Sequence, residues 1–136
     1  MGDFIYTCVQ LAHNFGAVTV VGSPAVALWL GQNHKIGQHQ LAWLMVIGWF
    51  AQGASGAGFG LTSLYLKGQI PDVTGIAWVA LVVKIACALT GFILAMVYLR
   101  SGASGWSSRS QVLLRMIMLG LAVTALSGAA FLRWYL

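Results

Sequence analysis

Four long apolar stretches, near 4–30, 40–66, 73–99 and 111–134, leave this chain little freedom of fold. Each is long enough to carry an α-helix through the ~30 Å hydrocarbon core of a bilayer, and only short polar segments separate them. Inside lipid a segment must satisfy its own backbone hydrogen bonds, so helices are the default. With 7% charged residues and a mean hydropathy of +0.86, nothing remains for a soluble domain. The expected fold is all-α, an integral membrane four-helix bundle forming one transmembrane domain over residues 1–136.

The formal charge of +5 comes from single basic residues scattered between and within the spans, not from a patch. The expected partner is therefore the lipid bilayer and not nucleic acid. Lys35, Arg100, Arg109 and Arg115 fall at the connections joining spans one to two and three to four, whereas Lys67 and Arg133 share the other side with Asp3 and Asp72. The positive-inside rule then places both termini outside, in a multi-pass protein of a bacterial inner membrane, with Arg115 snorkelling from the start of span four. Met-Gly-Asp lacks a basic n-region, so the first span is expected to be retained. Cys8 and Cys87 differ in depth and read as packing residues.

Within the spans the polar residues are few. Tyr6, Gln10, His13 and Asn14 recur at helical spacing as one stripe, continued by Ala17. An imidazole roughly 14 Å into a membrane is costly, so it calls for a partner. Lys84 lies roughly 16 Å into span three, on a face of Ala77, Ala80, Ala88, Gly91 and Ala95. Spans one and three begin on the same side, which brings His13 and Lys84 to similar depth. Span two carries Gly48, Gln52, Gly56 and Gly60 at intervals of four, and span four carries Gly120, Thr124 and Gly128. Such stripes either pack helices closely or admit a flat ligand. In the bland reading, Lys84 is neutral through burial and hydrogen-bonds to Gln52, Asn14 or a carbonyl, and His13 hydrogen-bonds to Gln52 or Lys84. His34, Lys35 and His39, in the loop from Gly31 to His39, read as interfacial polar residues.

An internal echo links the two halves. Ser55-Gly56-Ala57-Gly58-Phe59 resembles Ser127-Gly128-Ala129-Ala130-Phe131, and His13 precedes Ser55 by 42 positions as Lys84 precedes Ser127 by 43. This pattern fits a parallel repeat of two helical hairpins about an axis along the membrane normal, with His13 and Lys84 in equivalent places.

Asp3 and Asp72 are the only side-chain carboxylates and both belong at the surface. Paired-carboxylate hydrolysis and a buried Ser/His/Asp triad are thereby excluded. One imidazole in a glycine-lined helical interior suits axial ligation of a haem b iron, with His13 as the metal ligand. Lys84, Gln10, Asn14, Gln52 and Gly56 would surround such a cofactor, and Arg133, Lys67 or Lys84 would meet its propionates. Any enzymatic activity would be that of a haem-dependent membrane oxidoreductase.

Four spans with a histidine in the first, and a lysine in the third followed by an apolar run ending in arginine (Trp78 to Lys84 to Arg100), resemble small membrane proteins of the HemJ and CopD-like type. The HemJ resemblance implies that His13 and Lys84 belong to a haem b site linked to protoporphyrinogen oxidation. The CopD-like resemblance implies copper handling. The expected function is a b-type haem protein passing electrons between a quinone, or a partner redox subunit, and another membrane subunit, with respiratory-complex subunits or further copies of itself as neighbours. The alternatives are a structural accessory subunit of a larger membrane complex and CopD-like copper handling.

Overall fold

The computed structural model describes residues 1–31, 33–69, 72–101 and 106–135. Four helices make up the fold: α1 (Gly2–Leu30), α2 (Lys35–Lys67), α3 (Ile76–Ser101) and α4 (Ser108–Tyr135). All four are long and apolar enough to cross a membrane. The short connections force neighbours in sequence to run antiparallel, giving a closed ring in which α1 packs on α2 and α4, and α3 packs on α2 and α4. One end, here the terminal end, holds the start of α1, the finish of α4 and the α2–α3 connection. The other, the connector end, holds the α1–α2 and α3–α4 connections.

Helix boundaries differ from the apolar stretches where polar residues continue a helix or a glycine stops one. Gly31 ends α1 at φ 67, and the chain is helical again from Lys35, so Lys35 to His39 form the first turn of α2 and not a loop. Gly68 closes α2 in a left-handed conformation that glycine adopts without a Cβ penalty, its N–H bonding to the Leu64 carbonyl. Gly75, at φ 60, delays α3 to Ile76. Helix α1 runs unbroken through Pro24. Residues 70 and 71 of the α2–α3 connection, residue 32 of the α1–α2 connection and 102–105 of the α3–α4 connection lie outside the described residues, as does residue 136.

The two hairpins repeat one pattern of burial. Displacing α1 by 71 positions, as from Leu30 to Ser101, carries buried Gly16, Val20, Pro24 and Ala27 onto buried Cys87, Gly91, Ala95 and Tyr98. Displacing α2 by 73, as from Lys35 to Ser108, carries Gln38, Ala42, Met45, Trp49, Gln52 and Ser55 onto Gln111, Arg115, Met118, Ala122, Ala125 and Gly128, all buried. The second displacement is larger by two because the α3–α4 connection is two residues longer than the α1–α2 connection. Ser55 is thus matched by Gly128, one position beyond the Ser127 expected from sequence. His13 and Lys84 do stand at equivalent positions.

The core is built by pairing large with small across this repeat. Trp49 lies on Gly91 so closely that a Cβ there would stand 2.6 Å from indole carbons Cδ2 and Cζ2. Their counterparts reverse the sizes, with Ala122 matching Trp49 and Val20 matching Gly91. Met45 and Met118 match each other and are both fully buried. Gly48 receives Thr19 and Val20, and Gly128 approaches the Ala80 carbonyl. The stripe on α2 does not stay inside, however: Gly48 and Gln52 are buried while Gly56 and Gly60 are exposed, with no atom of another helix within 4 Å of a Cβ position. A spacing of four advances by about 40° per step on a 3.6-residue helix, so three steps wind the stripe off the packed face.

Candidate functional site

The buried stripe of α1 runs through Gly16, Val20, Ser23, Pro24 and Ala27, and His13 heads it, half-buried, one turn before Gly16. Ala17 lies at the edge of this face and does not continue it. Gln10 and Asn14 fall on the exposed flank, where the Gln10 amide donates to Asn14 Oδ1 at 3.1 Å. The imidazole is held from three sides. Its Nδ1 lies 2.7 Å from Ser55 Oγ, the Phe59 ring meets it edge-on with centroids 5.6 Å apart, and Nε2 lies 3.1 Å from Lys84 Nζ. Tyr6 packs on the far side of Phe59 at 5.3 Å. Gln52 is also present, but its amide donates to the His13 backbone carbonyl at 2.5 Å rather than to the ring.

Hydrogen-bond accounting assigns the tautomer. The Ser55 hydroxyl donates to the Ala51 carbonyl at 2.5 Å, an acceptor with no proton of its own, so Oγ can only accept from the imidazole. The ring proton therefore sits on Nδ1. A neutral imidazole then presents the Nε2 lone pair to the amine hydrogens of Lys84, and charging both partners would break the contact. Helices α1 and α3 are diagonal in the ring and make no backbone approach, so the long lysine side chain bridges the centre of the bundle to reach its equivalent position. The sequence-derived residues therefore divide into His13, Lys84 and Gln52, which the structure brings together, and Gln10, Asn14, Gly56 and Arg133, which are exposed. Ser55 was visible in the sequence only as part of the repeat, yet it fixes the proton on His13. Among the described residues no group of three or more His, Cys, Asp or Glu side chains could hold a metal ion.

A second polar cluster occupies the connector end. Arg115 does not snorkel: it is 1% exposed, roughly 10 Å beyond the start of α4. Its Nε donates to Tyr98 Oη at 3.0 Å, Nη1 to the Ala27 carbonyl at 3.5 Å and Nη2 to Gln111 Oε1 at 3.4 Å. Gln38 donates to the Ala27 and Gly31 carbonyls at 2.9 and 2.6 Å, joining the cluster to the last turn of α1. Arginine snorkels when its own helix faces lipid; here it stays inside because the repeat places small residues opposite it. Ala42 stands where the first hairpin would carry an arginine, and Ala27 where it would carry a tyrosine.

Compared with protein-family models, with curated proteins and with solved structures, the chain matches none.

Proposed function

We propose that the protein is a membrane b-type haem protein that takes part in electron transfer, with His13 Nε2 as the iron ligand. The observation that carries this reading is the Ser55 hydrogen bond, which holds the ring proton on Nδ1 and leaves the Nε2 lone pair available as an acceptor, here for Lys84 Nζ. Orientation of a ligating histidine by an acceptor on its other nitrogen is the usual arrangement at metal centres. Gly56 and Gly60 leave an exposed flank of α2 open. Lys84 would give up its contact with Nε2, or as a neutral amine supply a second ligand; Lys67 and Arg133, both exposed at the terminal end, are the cations available to propionates. Haem would supply one-electron redox chemistry to a quinone or a partner subunit, and the protein's share is ligation and a low-dielectric surround. The same reading takes the membrane to be a bacterial inner membrane with both termini outside, since exposed Lys35, Arg100 and Arg109 gather at the connector end.

The test is a reduced-minus-oxidised visible spectrum of the gently extracted chain beside His13→Ala, with a pyridine haemochrome assay. The expected result is a haem b spectrum that His13→Ala abolishes. Absence of haem from the wild-type chain would sink the reading.

One observation favours a structural accessory subunit instead. Gly48, Gly91 and Gly128 are all filled by neighbouring helices and leave no room for a macrocycle, while Gly56, Gly60 and Gly120 open outward, as an interface with another subunit would require. A chain that co-purifies with other membrane subunits and carries no pigment would establish that role.

A further inference from the structure

The buried guanidinium of Arg115 lacks a counter-charge. Its three acceptors among the described residues are neutral, two of them at 3.4 and 3.5 Å, and the cation–π contact with the Tyr98 ring, 5.7 Å from its centroid, offsets only part of its charge. The last carbonyls of α1 add the negative end of a helix dipole, worth about half an elementary charge. Asp3 and Asp72, the only side-chain carboxylates in the sequence, both belong to the opposite end. An arginine held inside a bundle at this depth is costly unless paired, so the missing charge has to come from outside the chain.

Space for it exists. A cavity of about 220 Å³ opens beside Arg115 at the connector end, and Lys35 and His39 stand exposed at its mouth with Gln38, Gln111 and Tyr98 along its walls. Two cationic or ionisable groups at the rim, a guanidinium fork at the base and no carboxylate in between is the donor set for a phosphate ester, which takes several charge-assisted hydrogen bonds at once. Helix-cap service to Ala27 explains one of the guanidinium's contacts but neither the cavity nor the cations at its entrance.

We propose that the connector-end cavity is an anion site that binds a phosphate ester, with Arg115 as its buried anchor and Lys35 and His39 at its entrance. The ester belongs either to the headgroup of an anionic phospholipid, whose acyl chains would lie along the bundle, or to a free phosphorylated solute. The site is independent of His13 and of any haem.

The full chain in phosphate-free maltoside detergent at constant ionic strength is titrated with phosphatidylglycerol, with diacylglycerol as the phosphate-free lipid, and with glycerol phosphate, following thermal unfolding and lipid retention by native mass spectrometry. Stabilisation by phosphatidylglycerol alone identifies a lipid headgroup, and stabilisation by glycerol phosphate as well identifies a free ester. In either case Arg115→Gln is expected to weaken the apparent affinity about tenfold or more, and Lys35→Gln with His39→Gln to weaken it in the same direction. Phosphate ligands that stabilise wild type and Arg115→Gln alike, or no better than diacylglycerol does, would overturn the proposal. Should Arg115→Gln fail to fold, the exposed Lys35→Gln/His39→Gln pair decides, and an unchanged affinity there is equally fatal.

Discussion

Arg115 and His13 are each the hub of a polar cluster spanning several helices, yet the two ends of the bundle treat them differently. Around Arg115 the side chains are buried, Gln38, Ala42, Met45, Tyr98, Gln111, Leu114 and Met118 among them, although a cavity reaches the guanidinium from the connector end. Around His13 more of the surface is exposed, with the imidazole half-buried, Lys84 only partly covered, and Gln10, Asn14, Gly56 and Gly60 exposed. Small-against-large pairing continues into the outer turns of α1 and α2, where Gly2 meets Leu66 and Gly58 meets Val9, but Gly56 and Gly60 on the outer flank of α2 meet nothing. Polar groups around Arg115 join α1, α3 and α4, whereas those around His13 join α1, α2 and α3 through Ser55 and Lys84.

The sharpest way to break this contrast is to empty the buried part. Trp49→Ala removes the largest buried side chain and should cost about 3–5 kcal/mol, read as a lowered denaturation midpoint in detergent. Phe59→Ala, beside His13 and only partly buried, should cost far less. Equal losses would mean that the His13 end is as closely packed as the middle. Trp49 Nε1 is buried without an acceptor among the described residues, so part of the indole's stabilisation is already offset by a desolvated N–H.

Gly91→Ala probes the same contact from the other side. Its Cβ would stand 2.6 Å from two indole carbons, and the displacement needed should cost about 1–3 kcal/mol. The double variant Trp49→Ala/Gly91→Ala should be more stable than the sum of the single changes implies, because the new methyl enters space the indole has left. Strict additivity would show that the two residues do not meet.

Four spans were legible from hydropathy alone, because length and apolar composition admit only one kind of element in lipid. Likewise the depth match of His13 and Lys84 followed from counting residues along helices that start on one side. Packing was less legible. Four-residue spacing reads as one face over two positions and as a spiral over four, so Gly48 and Gln52 point inward while Gly56 and Gly60 do not. Arg115 looked like an interfacial cation because its own neighbours in sequence are consistent with one. Its burial depends on Ala27 and Ala42 in the other hairpin, and a sequence shows such complementarity only after the burial register of 71 and 73 positions is known.

Ser55→Ala tests the His13 cluster with a smaller effect. It removes the acceptor that Ser55 gives the His13 Nδ1 proton, which should cost about 1 kcal/mol and free the proton to move between ring nitrogens. Nitrogen chemical shifts of a histidine-labelled sample should report the Nδ1–H tautomer in wild type and a mixture in the variant. Wild-type protein already showing the Nε2–H form would remove the structural support for ligation by His13.

The smallest effect expected is also the one that separates the two functional readings. Gly56 is exposed on α2 with open space around its Cβ position, so in an isolated bundle Gly56→Ala should be neutral or stabilising by about 0.5–1 kcal/mol through helix propensity. A bundle that functions alone would keep its stability after this change, and a haem seated against Gly56 would be displaced, so that pigment is lost while the chain still folds. If another subunit packs on the Gly56 and Gly60 flank, the added methyl would push that neighbour away, leaving the melting of the isolated chain unchanged while the larger assembly dissociates during native electrophoresis. A methyl group at one open position thus distinguishes a flank left free for a cofactor from a flank covered by a partner.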